Sequence, residues 1–266
     1  LLILGYLSGR KLDYYEIGDL RTCEAPKSII SRIERFLIRR TKKVIITSQA
    51  FFDDYFKLYG FQESKFLVLE NKVNTQNFKL NKQVNSSNSG RIRIGLIGFL
   101  RYKTPIEMII RFVKENSEHF ELICYGDGPF KYLLESENDV CIKYKGIYSA
   151  SKDLMKIYSQ IDVNYVVYDS SSKNVQMAIP NKFYESILFK KPIIVSKNTQ
   201  LSKIVKKYDV GISIYLDNDE CLSSKLLSLN RLQLKRCVKN CENLDPSIYI
   251  DDSMSQLIKE FVHYIK

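Results

Sequence analysis

The sequence predicts an α/β protein whose larger part is a doubly wound parallel sheet. Three observations predict it. Runs of strand length and apolar character recur at residues 92–97, 121–125, 141–144, 163–168, 193–196 and 212–215. Stretches with helical apolar spacing separate most of them, notably 105–115, 152–160 and 181–189, and such alternation calls for parallel strands joined by right-handed crossovers. The run Asn85-Ser86-Ser87-Asn88-Ser89-Gly90 is small, polar and turn-forming, so it reads as a linker that sets this part off from the residues before it. The chain therefore divides into 1–84, a linker 85–90, a doubly wound domain 91–245 and a terminal segment 246–266.

Taken in order, residues 28–43 carry Ile29, Ile30, Ile33, Phe36 and Leu37 at helical spacing, interspersed with Arg32, Arg35, Arg39 and Arg40. A short strand is expected at 44–47, a helix at 49–59 ending at Gly60, and another strand at 66–69. These are too few strands for a complete sheet, so residues 1–84 read as the remainder of a Rossmann-like domain. At the far end Met254, Leu257, Ile258, Phe261 and Ile265 predict an amphipathic helix over 252–266.

Composition narrows the function. The 266 residues carry 41 Lys+Arg against 30 Asp+Glu, a formal charge of +11, with 27% charged and 45% hydrophobic residues, as in an ordinary folded protein. No apolar run approaches the roughly 20 residues that span a bilayer. Leu1-Leu2-Ile3-Leu4 lacks the flanks of a signal peptide, and with no initiator Met the chain is expected to be a fragment of a longer one. The six cysteines form no CxxC, and neither His119 nor His263 completes a zinc spacing with Cys237 and Cys241, so reduced thiols are expected. Asp217-Asn218-Asp219 has the form of a metal-binding DxD but reads as a helix cap, and no metal is expected. The positive charge suits nucleic acid, anionic lipid or phosphorylated small molecules. No nucleic-acid-binding motif appears, and nucleic acid is not an expected partner.

Three segments could carry chemistry. In Gly98-Phe99-Leu100-Arg101-Tyr102-Lys103-Thr104-Pro105-Ile106-Glu107 a strand runs into a helix, with Thr104 expected at N-cap, Pro105 at N1 and Glu107 at N3. Arg101 and Lys103 stand beside that helix N-terminus, where an anion is favoured. The turn has one glycine, so it is neither a dinucleotide fingerprint nor a Walker A loop, which argues against a dehydrogenase. In Ile179-Pro180-Asn181-Lys182-Phe183-Tyr184-Glu185, Lys182 and Glu185 share neighbouring helix positions; a carboxylate there can accept the two hydroxyls of a ribose, but the pair taken alone reads first as a solvated surface pair. In Cys124-Tyr125-Gly126-Asp127-Gly128-Pro129 a strand ends in a glycine turn, where backbone can approach a ligand.

In this order the three segments resemble the carboxyl-terminal half of GT-B glycosyltransferases, in particular the retaining nucleotide-sugar-dependent group 1 enzymes of bacterial surface polysaccharides such as capsule and O-antigen. The resemblance runs from about Lys42 to about Leu216 and includes Thr47-Ser48-Gln49, Leu69-Glu70-Asn71-Lys72-Val73-Asn74, Lys145-Gly146-Ile147-Tyr148 and Lys191-Pro192-Ile193-Ile194. It implies a GT-B fold with a doubly wound donor domain, a partial first domain on the acceptor side, and a last helix that packs back toward the first part. It implies a glycosyltransferase using a nucleoside-diphosphate sugar, without metal or other cofactor, on a glycan or polyprenyl-lipid-linked acceptor. Arg101, Lys103 and Glu185 would be catalytic, with Arg101 and Lys103 neutralising the diphosphate and Glu185 holding the ribose. Gly98, Gly126, Gly128, Ile147, Pro180, Asn181 and Lys182 would complete the donor site. A cytoplasmic protein at the inner membrane face follows, with helix 28–43 against anionic headgroups. Many relatives carry a glutamate eight positions before the ribose glutamate; here that position is Met177. A nucleotide-sugar-binding fragment without transferase activity, and a GT-B-fold nucleotide-sugar epimerase, are the alternative readings.

Overall fold

The computed structural model describes residues 14–17, 20–75, 90–216 and 219–251, which fall into two units. The first holds the described residues up to Asn71 together with Ser171–Ile179; the second holds Lys72–Ser170 and the chain from Pro180 onward.

The first unit is a three-stranded parallel sheet, β1 (Tyr14–Ile17), β2 (Lys43–Ile46) and β3 (Phe66–Val68), with β2 in the middle. Val44 and Ile46 of β2 are fully buried. Helix α1 (Ile29–Ile38) starts where the Ser28 side chain accepts from the Ser31 N–H. It ends before the expected 28–43 span because the chain must turn into β2. The expected helix 49–59 is two pieces: α2 (Gln49–Asp54) and a 3-10 turn Phe56–Tyr59 that Gly60 ends in the left-handed conformation at φ 74°. Phe56 packs at 4.9 Å from Phe66 and 5.6 Å from Phe61, ring centroid to centroid, and this aromatic cluster is the unit's core.

The sequence reading runs the doubly wound domain unbroken from 91 to 245; residues Ser171–Ile179 depart from it and cluster with the first unit. Polar contacts explain why. The Leu20 N–H donates to Asn174 Oδ1 at 2.8 Å, Glu24 Oε1 accepts from Ser172 Oγ and the Asn174 N–H, and Ser48 Oγ donates to the Met177 carbonyl at 2.7 Å.

The second unit runs β4 (Ile92–Phe99), α3 (Lys103–Glu115), β5 (Phe120–Asp127), α4 (Tyr132–Glu135), β6 (Ile142–Tyr144), α5 (Ala150–Ser159), β7 (Val163–Val166), α6 (Asn181–Leu188), β8 (Ile193–Ser196), α7 (Gln200–Tyr208), β9 (Gly211–Ile214), α8 (Asp219–Leu227) and α9 (Arg231–Glu242). Its six strands are all parallel, in the order β6-β5-β4-β7-β8-β9. Both faces are covered, as a parallel sheet requires. Ile92, Ile94 and Leu96 of β4 meet Ile106, Ile109 and Val113 of α3 on one face. Ile97 and Ile123 meet Leu154, Ile157 and Tyr158 of α5 on the other. Counted within the unit, the order is 3-2-1-4-5-6, which reverses direction between β4 and β7. Open α/β sheets bind ligands in the crevice outside the carboxyl ends of the strands at such a reversal.

The expected linker 85–89, the Asp217-Asn218 pair and the terminal helix 252–266 with His263 lie outside the described residues. Cys23, Cys124, Cys141, Cys237 and Cys241 are buried free thiols.

Candidate functional site

At the carboxyl end of β4 the chain reaches Gly98 at φ 126°. A Cβ there would lie 3.2 Å from Lys182 Cε, a tight contact, so the lysine stem passes close to the glycine. Gly126 and Gly128 have φ 144° and 146°, and a Cβ on either would run into the backbone of Gly98 or Leu100. The glycines thus let the ends of β4 and β5 close on one another, sealed by the Leu100 N–H donating to the Asp127 carbonyl at 2.7 Å.

Arg101 is exposed, its guanidinium 5.3 Å from the centroid of the Phe99 ring. The expected capping box at Thr104 is not formed. Helix α3 starts at Lys103 with Tyr102 at N-cap and no side-chain cap, and Pro105 falls inside the first turn, where its missing N–H loses nothing. Glu107 instead faces Lys103 at 3.5 Å, an exposed pair of little energetic weight.

Pro180 is the N-cap of α6, and Asn181 and Lys182 open the helix. Lys182 and Glu185 are not the solvated pair that their spacing alone allows. Their side chains are only 12% and 10% exposed, with Lys182 Nζ donating to Glu185 Oε2 at 2.6 Å. A chain of hydrogen bonds continues on both sides. Lys182 Nζ also donates to Tyr148 Oη at 2.9 Å. Tyr158 Oη donates to the same Glu185 Oε2 at 3.0 Å, and Asn164 Nδ2 donates to Tyr158 Oη and Ser186 Oγ at 3.2 and 2.8 Å.

The electrostatics follow from this geometry. Burial disfavours the Lys182 charge, yet the Glu185 carboxylate and the Tyr148 phenol outweigh it and hold the ammonium above the ordinary lysine value of 10.5. Burial, and then the Glu185 charge, push the Tyr158 phenol well up, so it stays a proton donor. An ammonium has three N–H donors and a carboxylate two oxygens. Lys182 has one donor left after Glu185 and Tyr148, and Glu185 keeps Oε1 without a hydrogen bond among the described residues. One unit of cationic donor and one carboxylate oxygen therefore remain for a ligand, a pairing suited to an anion next to a hydroxyl.

No family model matches the sequence, and no curated protein matches it. Solved structures do. The chain superposes on the Anabaena protein Alr3699/HepE, solved with UDP-glucose, at TM-score 0.73 and 17% identity, covering 99% of this chain and 75% of that one. It superposes on sucrose-phosphate synthase from Thermosynechococcus elongatus at TM-score 0.69 and 12% identity, covering 99% and 71%. For WaaG, a glycosyltransferase involved in lipopolysaccharide biosynthesis, the values are 0.62 and 13%, covering 88% and 72%. The fold is that of the GT-B glycosyltransferases.

Within this GT-B framework, the structure brings Gly98, Lys182 and Glu185 into one cluster and packs Gly126 and Gly128 against the Gly98 turn. Arg101 and Lys103 stand exposed on the following loop and first helical turn. Ile147 is exposed at the end of the loop after β6, beside Tyr148. Met177, at the position where many relatives carry glutamate, is a buried packing residue of the first unit. The sequence reading missed Tyr148 and Tyr158, which bond the Lys182–Glu185 pair, and Asn164, which donates to Tyr158. It also missed Tyr102 and Tyr168, whose rings pack at 5.3 Å just beyond β4 and β7. Asn164 did leave a signal: a polar residue within Val163-Asn164-Tyr165-Val166, a strand buried on both faces.

Proposed function

We propose that this protein transfers a glycosyl group from a nucleoside-diphosphate sugar to a glycan or polyprenyl-lipid-linked acceptor in the assembly of a cell-surface polysaccharide such as capsule or O-antigen. The observation that carries the reading is the buried Lys182–Glu185 pair at the strand-order reversal of a GT-B fold. In the reaction the acceptor oxygen bonds to the anomeric carbon and gives up its proton. The bond from that carbon to the diphosphate oxygen breaks, and the nucleoside diphosphate leaves with the electron pair. Negative charge grows on the leaving diphosphate, so cations fixed beside it lower the barrier. Lys182, Arg101, Lys103 and the N–H groups opening α6 supply that charge, and no metal is required. Glu185 Oε1 takes the ribose hydroxyls, and Gly98, Gly126, Gly128, Ile147, Pro180 and Asn181 shape the remainder of the donor site. Retention of anomeric configuration accompanies this reading through the group 1 resemblance.

The test is a thermal-shift panel of UDP, GDP, ADP, CMP and their sugars on the wild type and on Glu185→Ala. A ligand at about 100 times its dissociation constant adds about 2.7 kcal/mol of stability. Stabilisation by one nucleoside diphosphate, weakened in the variant, is the expected result. No shift with any nucleotide would overturn the reading. Transfer of labelled sugar to a lipid-linked acceptor separates a transferase from a nucleotide-sugar-binding protein.

The same reading puts the enzyme in the cytoplasm at the inner face of the membrane. What supports it is the inverted character of α1. Ser31, Arg35, Leu37 and Ile38 face inward, while Ile29, Ile30, Ile33 and Phe36 are 74%, 71%, 41% and 43% exposed. Lys27, Arg32, Arg39 and Arg40 are exposed alongside them. Arg35 leaves the basic face: it is buried, donating to Tyr55 Oη at 2.8 Å and to the Pro26 carbonyl at 2.9 Å. An apolar strip flanked by cations matches an anionic lipid surface. No helix among the described residues is long and apolar enough to cross a membrane.

A further inference from the structure

Lys182 is bound by two acceptors from different elements. Glu185 lies one turn along its own helix, whereas Tyr148 comes from the loop after β6. That loop is firmly mounted. The Tyr148 ring stands edge-on to Tyr125 at 6.4 Å, and Tyr125 Oη donates to Gln160 Oε1 at 3.0 Å. Two residues before Tyr148, the Gly146 carbonyl accepts from the Gly126 N–H at 2.8 Å. On the other side the lysine stem is confined by Gly98.

We propose that Tyr148 is a positioning residue for the donor diphosphate. It acts on Lys182 and does not itself touch the donor. The inference rests on the reading of this cluster as a nucleoside-diphosphate site. Its physical basis is competition for one ammonium. Lys182 and Glu185 are both largely withdrawn from water, so their attraction is strong, and among the described residues nothing hydrogen-bonds Glu185 Oε1 to hold it away. Without a second acceptor the ammonium settles across both carboxylate oxygens. Glu185 then loses the oxygen that would take a hydroxyl, and Lys182 loses the free N–H that would take a phosphate. The Tyr148 oxygen pulls the ammonium off that bisecting position. It leaves one N–H and one carboxylate oxygen for the ligand. The phenol so sets the geometry of both donor contacts through a single hydrogen bond.

The experiment uses Tyr148→Phe, which keeps the ring against Tyr125 and removes only the oxygen. Dissociation constants are measured calorimetrically for UDP, GDP and ADP, each against its own nucleoside, on wild type, Tyr148→Phe, Lys182→Met and the double variant. Hydrogen bonds to charged groups predict that Tyr148→Phe weakens the preferred nucleoside diphosphate by about tenfold. The nucleoside is expected to bind unchanged, and the oxygen's removal to add nothing once Lys182 is gone. Equal weakening of nucleoside and diphosphate, or additive losses in the double variant, would overturn the proposal, because the phenol would then act on the ligand or the fold directly. Wild-type binding with no change in Tyr148→Phe removes the positioning role alone. A wild type that binds none of the three diphosphates removes it together with the donor-site reading. A melting temperature of the unliganded variant close to wild type excludes a merely structural loss.

Discussion

Lys191 enters β8 as a buried amine near Asp162 and Arg93. Burial opposes its charge, Asp162 favours it and Arg93 opposes it, and the balance lowers its pKa to about 8. The unfolded chain holds this proton more tightly than the folded one. Stability therefore rises with pH between about 8 and the ordinary value of 10.5, and the full penalty is present below that window. Lys191→Met, which keeps most of the stem, is expected to stabilise the protein at pH 7 by roughly 2 kcal/mol. Its advantage should fade when unfolding is repeated near pH 10. An equal gain at both pH values would show that packing, not charge, governs the site. At this scale the sequence was partly legible. The spacing of Lys182 and Glu185 revealed their adjacency on a helix, but not their burial. The pair's hydrogen-bond partners Tyr148 and Tyr158 lie 34 and 27 residues away, and Asn164, which donates to Tyr158, also reaches Ser186 across 22 residues. No local pattern encodes contacts of that range.

Between elements, the starts of β4 and β7 are joined by charge at the end of the sheet opposite the candidate site. The Arg93 guanidinium meets Asp162 through Nε at 3.1 Å and Nη2 at 2.8 Å, and the Arg93 N–H donates to the same carboxylate at 2.9 Å. Arg231 adds a half-exposed contact at 3.1 Å. Burial would raise the Asp162 carboxyl, but the Arg93 bonds and the Arg231 charge bring it below its usual value of 3.8. Its contribution is thus present above that value and disappears as pH falls through the lowered one. Asp162→Asn leaves buried Arg93 and Lys191 without their carboxylate, and denaturant unfolding at pH 7 should show a loss of about 3–5 kcal/mol. Adding Lys191→Met should stabilise this variant by more than it stabilises the wild type, since one of the stranded cations is then gone. Strict additivity of the two changes would deny the coupling. Elements of this sheet were readable because β4, β5, β7 and β8 are buried along nearly their whole length, β6 and β9 keep an apolar alternation, and the longer crossover helices carry an apolar stripe. β8 begins and ends where the sequence places it. The misread boundaries have local causes: α3 starts two residues early with Tyr102 at N-cap, and Tyr55 breaks the helix 49–59. The return of Ser171–Ile179 to the first unit depends on the polar partners Leu20, Glu24 and Ser48, which are more than 100 residues away in the chain and leave no periodic trace.

For the molecule as a whole, a formal charge of +11 sets a general attraction to anionic surfaces, but only a shaped patch converts it into docking. α1 is the patch proposed for that role, with Phe36 under the Arg40 guanidinium at 3.5 Å from its ring centroid. Each of its cations is worth about 1 kcal/mol near an anionic leaflet, and the exposed isoleucines add apolar insertion. The two contributions separate experimentally. Arg32→Gln with Arg40→Gln should weaken binding to phosphatidylserine vesicles by roughly fivefold per charge at low salt and flatten its salt dependence. Ile29→Ser with Ile33→Ser should weaken binding at every salt concentration, because apolar insertion is not screened. Both pairs alter exposed positions, so unfolding should shift little. Cosedimentation with phosphatidylserine and with phosphatidylcholine vesicles reads all of this. If the wild type sediments equally with both lipids, or if neither pair reduces binding, α1 does not dock on anionic lipid. Glycosyl transfer to a soluble acceptor should be unaffected in these two double variants, whereas transfer to a lipid-linked acceptor in vesicles should fall in parallel with binding. That divergence would tie the surface to acceptor access and not to the donor chemistry at Lys182 and Glu185.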